Sequence, residues 1–102
     1  MRPGGKEVRE VYKKKDDIVY RKVAGETILV PISGRLADMQ RIFALNPVGD
    51  LIWHELDGSR TLQKVSEDIQ SRFDVSSEEA DADLEAFVAE LLKEGLIEEV
   101  SQ

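Results

Sequence analysis

Residues 45–58 read Leu45-Asn46-Pro47-Val48-Gly49-Asp50-Leu51-Ile52-Trp53-His54-Glu55-Leu56-Asp57-Gly58. Asn46 suits an N-cap, because its side chain can accept an orphan backbone N–H of a helix start. Pro47 suits the first helical position, where no backbone N–H is needed. Val48, Leu51, Ile52 and Leu56 then recur at helical spacing with Trp53 beside them, which predicts a helix over Pro47–Leu56. Asp57-Gly58 predicts its end, since glycine takes the left-handed conformation that closes helices.

Two more helices follow. Thr61 is placed to cap Leu62–Phe73, whose apolar stripe is Leu62, Val65, Ile69 and Phe73. Ser76-x-x-Glu79 is a capping box and opens a helix over Ser77–Glu94. That third helix carries Ala80, Leu84, Phe87, Val88, Leu91 and Leu92 on one face and ends at Gly95. Leu96-Ile97 can pack back, with a short strand over Ile97–Val100.

On the N-terminal side, Ile18–Ala24 alternates, Gly25-Glu26 suits a two-residue turn, and Thr27–Ile32 is rich in β-branched residues. These predict a hairpin. Ser33–Asp38 reads as a connection with a Ser-Gly turn signal. Met39–Leu45 alternates again and predicts a third strand, with Met39, Arg41, Phe43 and Leu45 on one face. Residues 1–16 are polar and Gly-containing, and read as a flexible basic extension ahead of a domain over residues 17–102. The expected class is α+β: a winged helix-turn-helix with an N-terminal three-stranded antiparallel sheet and three helices.

Composition excludes much. A chain of 102 residues has the size of one domain with one core. No run of 18 apolar residues spans a membrane. There is no Cys, hence no disulfide, thiolate ligand or cysteine nucleophile, and together with a start lacking a secretory apolar segment this fits a cytoplasmic protein. His54 is the only histidine and has no second His to join it, so no metal site is expected. Asp81-x-Asp83-x-Glu85 resembles part of a calcium loop but lacks its glycine and lies in a helical pattern. There is no glycine-rich phosphate loop and no nucleophile elbow. Neither a cofactor nor catalysis by this chain alone is expected.

Net charge is −7, unevenly spread. Residues 1–25 carry eight Lys/Arg against four Asp/Glu, and residues 26–102 six against seventeen. A winged helix suggests DNA, yet residues 76–94, the recognition-helix position, hold seven acids and one Lys. Such a helix is repelled by phosphates, so nucleic acid is disfavoured. The rival reading that survives is a regulator binding DNA through the basic N-terminal arm, which includes Lys13-Lys14-Lys15. A plain dimerisation module is a third, and the sequence does not set the oligomeric state. Two features suit protein partners: a lightly guarded third strand, with Arg41 its only charge and no proline, and the broad apolar face of the third helix.

Leu45–Trp53, Leu56-Asp57-Gly58-Ser59-Arg60-Thr61 and Phe87–Ile97 together resemble the coenzyme PQQ synthesis protein D family, over about Ile18–Ile97. The resemblance implies a strand-rich part on a winged helix-turn-helix. It implies a function too: binding the leader of a ribosomally made precursor peptide and delivering it to a modifying enzyme, often a radical S-adenosylmethionine enzyme. In such modules the leader adds as a strand beside the third strand, against the third helix. That maps onto Arg41, Ile42, Phe43 and Ala44, and onto Asp83, Leu84, Phe87, Val88 and Leu91. Phe87 lies at the edge of the helical apolar arc with Asp83 one turn before it, which suits apolar anchors and a basic residue in the peptide.

Overall fold

A computed structural model describes residues 11–100. In chain order the elements are β1 (Val11–Lys14), β2 (Ile18–Val23), β3 (Glu26–Pro31), α1 (Gly34–Asp38), β4 (Phe43–Leu45), α2 (Pro47–Glu55), β5 (Asp57–Thr61), α3 (Leu62–Phe73), α4 (Ser77–Glu94) and β6 (Ile97–Glu99). They form two antiparallel three-stranded sheets, ordered β2-β3-β4 and β5-β1-β6, around α2, α3 and α4. The α+β winged-helix class expected from the sequence is the one observed, with a second sheet added.

Local signals set the helix ends. Asn46 Oδ1 accepts the Gly49 N–H at 2.8 Å, Thr61 Oγ1 that of Lys64 at 3.2 Å, and Ser76 Oγ that of Glu79 at 3.1 Å. Gly95, at φ 78°, ends α4: its N–H bonds the Leu92 carbonyl and the Leu96 N–H bonds that of Leu91. Leu91 and Leu96 are both buried, the apolar contact expected of this closure. The helices enclose a core of Ile52, Trp53, Leu56, Val65, Ile69 and Leu84, and Leu29 of β3 joins it.

The hairpin turn falls one residue earlier than the sequence suggests. Val23 pairs with Glu26, which leaves Ala24 and Gly25 as the loop, at φ 53° and 84°. Positive φ at both central residues matches the right-handed twist of the flanking strands.

Three further expectations are corrected. The third strand is Phe43–Leu45 and not Met39–Leu45. The alternation before it is overridden by α1, whose C-terminal closure takes up that backbone. Met39 N–H bonds Arg35, Gln40 N–H bonds Ala37 and Arg41 N–H bonds Leu36, with Gln40 at φ 58°. Arg41 and Ile42 therefore lie ahead of the strand.

The extension over residues 1–16 is corrected in its last part; residues 1–10 lie outside the described residues. Val11–Lys14 is the central strand of the second sheet, with Val11 and Tyr12 buried. Their burial stabilises a strand too short to form alone. Nor is the Lys13-Lys14-Lys15 run simply a solvated head. Lys14 Nζ donates to the carbonyls of Trp53 and Leu56, both at 3.0 Å, so a cation caps the negative end of α2. Lys13 Nζ lies 3.6 Å from Glu98.

Finally, Asp57-Gly58 is the start of β5 rather than a glycine cap. Helix α2 closes at Leu56, and Gly58, at φ 89°, sits beside Lys13 Cβ where the β1–β5 register shifts. A bulge of this kind accepts a glycine that no side chain would crowd.

Candidate functional site

Among the described residues no group of three or more His, Asp or Glu is placed to hold a metal ion. His54 instead joins a structural network. The Asp50 carboxylate accepts the Tyr20 hydroxyl at 2.9 Å and lies 3.2 Å from His54 Nδ1, with Lys22 at 3.9 Å. The Tyr20 and His54 rings meet edge to face at 4.7 Å. This network ties α2 to the hairpin. Asp81 accepts the hydroxyl of buried Ser66, which ties α4 to α3 and removes Asp81 from any calcium-like set.

Helix α4 carries two parallel stripes. Ala80, Leu84, Val88 and Leu91 face the core, each at most 4% exposed. Asp83, Ala86, Phe87 and Glu90 line an open groove of about 320 Å³. The opposite side of the groove comes from the start of α2: Asn46, Val48, Gly49 and Ile52. Gly49 makes this approach close: a Cβ there would stand 3.3 Å from Phe87 Cζ and from Asn46 Oδ1, and the Phe87 ring would have to shift by a few tenths of an ångström. The bare backbone lets the Phe87 ring lie on the first turn of α2.

Strand β4 leads into this groove through Asn46, the residue that follows it and lines the groove. It pairs with β3 through Leu29↔Phe43, Ile28↔Ala44 and Thr27↔Leu45, and among the described residues no strand pairs with its other edge. Its direction is set at both ends. Arg41, just before β4, meets Glu94 at the C-terminus of α4 at 3.4 Å, and its guanidinium stacks 4.9 Å from the Phe43 ring. Asn46, just after β4, shares the groove with Asp83 and Phe87. The strand thus runs antiparallel to α4, with an open edge and no charge or proline within it to discourage pairing.

Of the residues expected to bind a peptide, the structure brings Phe43 and Ala44 to the open edge, and Asp83 and Phe87 to the groove. Arg41 anchors β4 against α4. Ile42 is 59% exposed ahead of the strand. Leu84, Val88 and Leu91 belong to the core, so the expectation that they offer a binding surface is corrected: they hold α4 in place. Sequence reasoning missed Val48, Gly49, Ile52, Ala86 and Glu90. A signal for two of them existed, since Ala86 and Glu90 repeat from Asp83 at the i+3 and i+7 spacing of one helix face. The α2 residues were visible only as a helix start.

A second electrostatic feature lies outside the groove, where α2, β5 and α3 meet. The Glu55 carboxyl is pushed up to about 7 from its ordinary 4.5 by burial and by the neighbouring Asp68 carboxylate. Arg60 Nε, 3.9 Å away, offsets this in part, and Glu55 Oε1 is buried with no hydrogen-bond partner among the described residues.

The family model of coenzyme PQQ synthesis protein D matches residues 26–97. No curated protein matches the chain. Two solved structures are similar. "TbiB1 in Complex with the TbiA(beta) Leader Peptide" aligns at TM-score 0.68 and 23% identity, over 84% of this chain and 94% of that one. "Lasso peptide synthetase B1 complexed with the leader peptide" aligns at TM-score 0.70 and 18% identity, over 85% and 96%. At these identities the likeness is one of fold. No helix among the described residues is long and apolar enough to cross a membrane.

Proposed function

The chain belongs to the coenzyme PQQ synthesis protein D family, and on that premise we propose that it is a peptide-binding accessory protein. It takes the leader of a ribosomally made precursor peptide as an added strand on β4, against the groove face of α4. It presents that peptide to a separate modifying enzyme of the radical S-adenosylmethionine class. The chemistry is the partner's; this chain supplies main-chain hydrogen bonds, an apolar groove and an acidic rim. A cytoplasmic location, where such peptides are made, goes with this role. The binding unit includes the strand from Val11 as well as residues 17–102.

One observation carries the reading: among the described residues no strand pairs with the outer edge of β4, and the residues flanking that strand, Arg41 and Asn46, meet Glu94 of α4 and the groove on α4. Each main-chain hydrogen bond to such an edge stabilises by about 0.5–1.5 kcal/mol net, which sets orientation and register. Selectivity then falls to the groove. The two similar solved structures, each a complex with a leader peptide, support this use of the fold.

The test uses synthetic leaders encoded beside the gene, titrated into the full chain while backbone amides are followed by NMR. Amides of Phe43–Leu45 should shift first. N-methylating alternate residues of the leader in one phase should abolish binding, and in the other phase leave it nearly intact. Equal tolerance of both phases would rule out strand addition. The DNA-binding alternative predicts a steep loss of affinity with salt, where strand addition predicts a shallow one.

A further inference from the structure

We propose that the groove selects leaders whose docked strand carries one apolar side chain with Lys or Arg two residues before it and two residues after it. This rests on the peptide-binding reading and specifies the chemistry of its ligand. Phe87 marks the apolar level of the groove, above Val48 and Ile52. Asp83 lies about 6 Å before it along the helix axis, and Glu90 about 4.5 Å after it, at 1.5 Å per residue. Side chains on one face of a strand recur about every 6.8 Å. A strand running along α4 therefore places an anchor at Phe87 and its second neighbours at the two carboxylates. The long stems of Lys and Arg absorb the remaining mismatch.

Charge complementarity identifies the flanking residues. Glu94 is already paired with Arg41, and Asp81 with Ser66. Among the described residues neither Asp83 nor Glu90 has an ion-pair partner, and no Lys or Arg lines the groove. Two unpaired carboxylates bracketing one apolar level suit a guest that supplies two cations and one apolar group. The groove has one such level, which is why a single anchor is specified.

A displayed library of random twelve-residue peptides, selected on the immobilised full chain, tests this. The enriched sequences should share a basic-x-apolar-x-basic core. A fluorescent peptide of that sequence should bind about two- to fivefold more weakly to Asp83→Asn and again to Glu90→Gln, as for exposed ion pairs. Its Ser-flanked analogue should not distinguish the variants from the parent, and the difference should shrink in high salt. Neutral or acidic winners, or a basic peptide indifferent to both substitutions, overturn the proposal. If such neutral winners still shift the β4 amides, strand addition stands without it; no enrichment at all removes both. A dimer of the chain that dissolves on Phe87→Ser would assign the groove to a second copy and overturn it as well.

Discussion

The sheet β2-β3-β4 is made of segments that follow one another along the chain, and it ends on a three-residue strand whose outer edge no described strand pairs. The sheet β5-β1-β6 gathers segments far apart in sequence, and its central strand is paired on both sides. The first is a hairpin extended by one strand, held by a local turn and by Leu29 and Thr27 in the core. The second is a clasp: β1 buries Val11 and Tyr12, pairs with β5 and β6, and sends Lys14 onto the end of α2. Both sheets have outer strands, but the clasp ties β1 to β5 and β6, while the proposed binding edge, β4, lies in the other sheet. Stability and binding should therefore separate on mutation.

The largest effect expected is on the clasp. Tyr12 is 5% exposed, and truncating a buried aromatic costs about 3–5 kcal/mol, against a total stability of about 5–15. Tyr12→Ala should lower the urea midpoint accordingly, while any protein that remains folded still binds peptide. A loss under 1 kcal/mol would mean that β1 is dispensable.

Next comes a pair on α4. Leu84→Ala empties a core site and should cost about 2–5 kcal/mol of stability. Phe87→Ala, in the groove, should cost far less stability but more than about 2 kcal/mol of peptide binding, as anchor residues do. Unfolding curves and peptide titrations on both variants decide it. If the two variants behave alike, the helix does not have separate core and binding faces.

Lys14→Met keeps the apolar stem and removes the cation over two helix-terminal carbonyls. Because Lys14 is only half-buried, the expected loss is about 1 kcal/mol. Peptide affinity should be unchanged.

The last effect is one of pH. Glu55 sits under the clasp with its carboxyl raised from 4.5 to about 7 in the folded chain. The folded state thus keeps a proton that the unfolded chain releases more easily. That stabilisation is full below about pH 4.5 and is lost as pH rises through about 7. Thermal unfolding should accordingly show this contribution declining between pH 4.5 and 7, and Glu55→Gln should flatten that decline. An unchanged profile in the variant would place the titration elsewhere.

What the sequence determined by itself is local. Asn46-Pro47, Thr61, Ser76-x-x-Glu79 and Gly95 mark helix ends because each satisfies or closes backbone groups within a few residues. Alternation around Gly25 marked the hairpin for the same reason, although the turn moved by one residue. Four things were decided only by tertiary structure. Val11–Lys14 and Asp57–Thr61 become strands because each finds a partner more than 40 residues away, and such pairing leaves no periodic trace in either segment. Met39–Arg41 alternates like a strand, yet α1 claims its backbone. On α4, apolar spacing marked a face but not its boundary. Whether Leu84 or Phe87 meets solvent depends on where α2 and α3 lie against the helix, and the Phe87 ring comes to rest close to Gly49 at the start of α2.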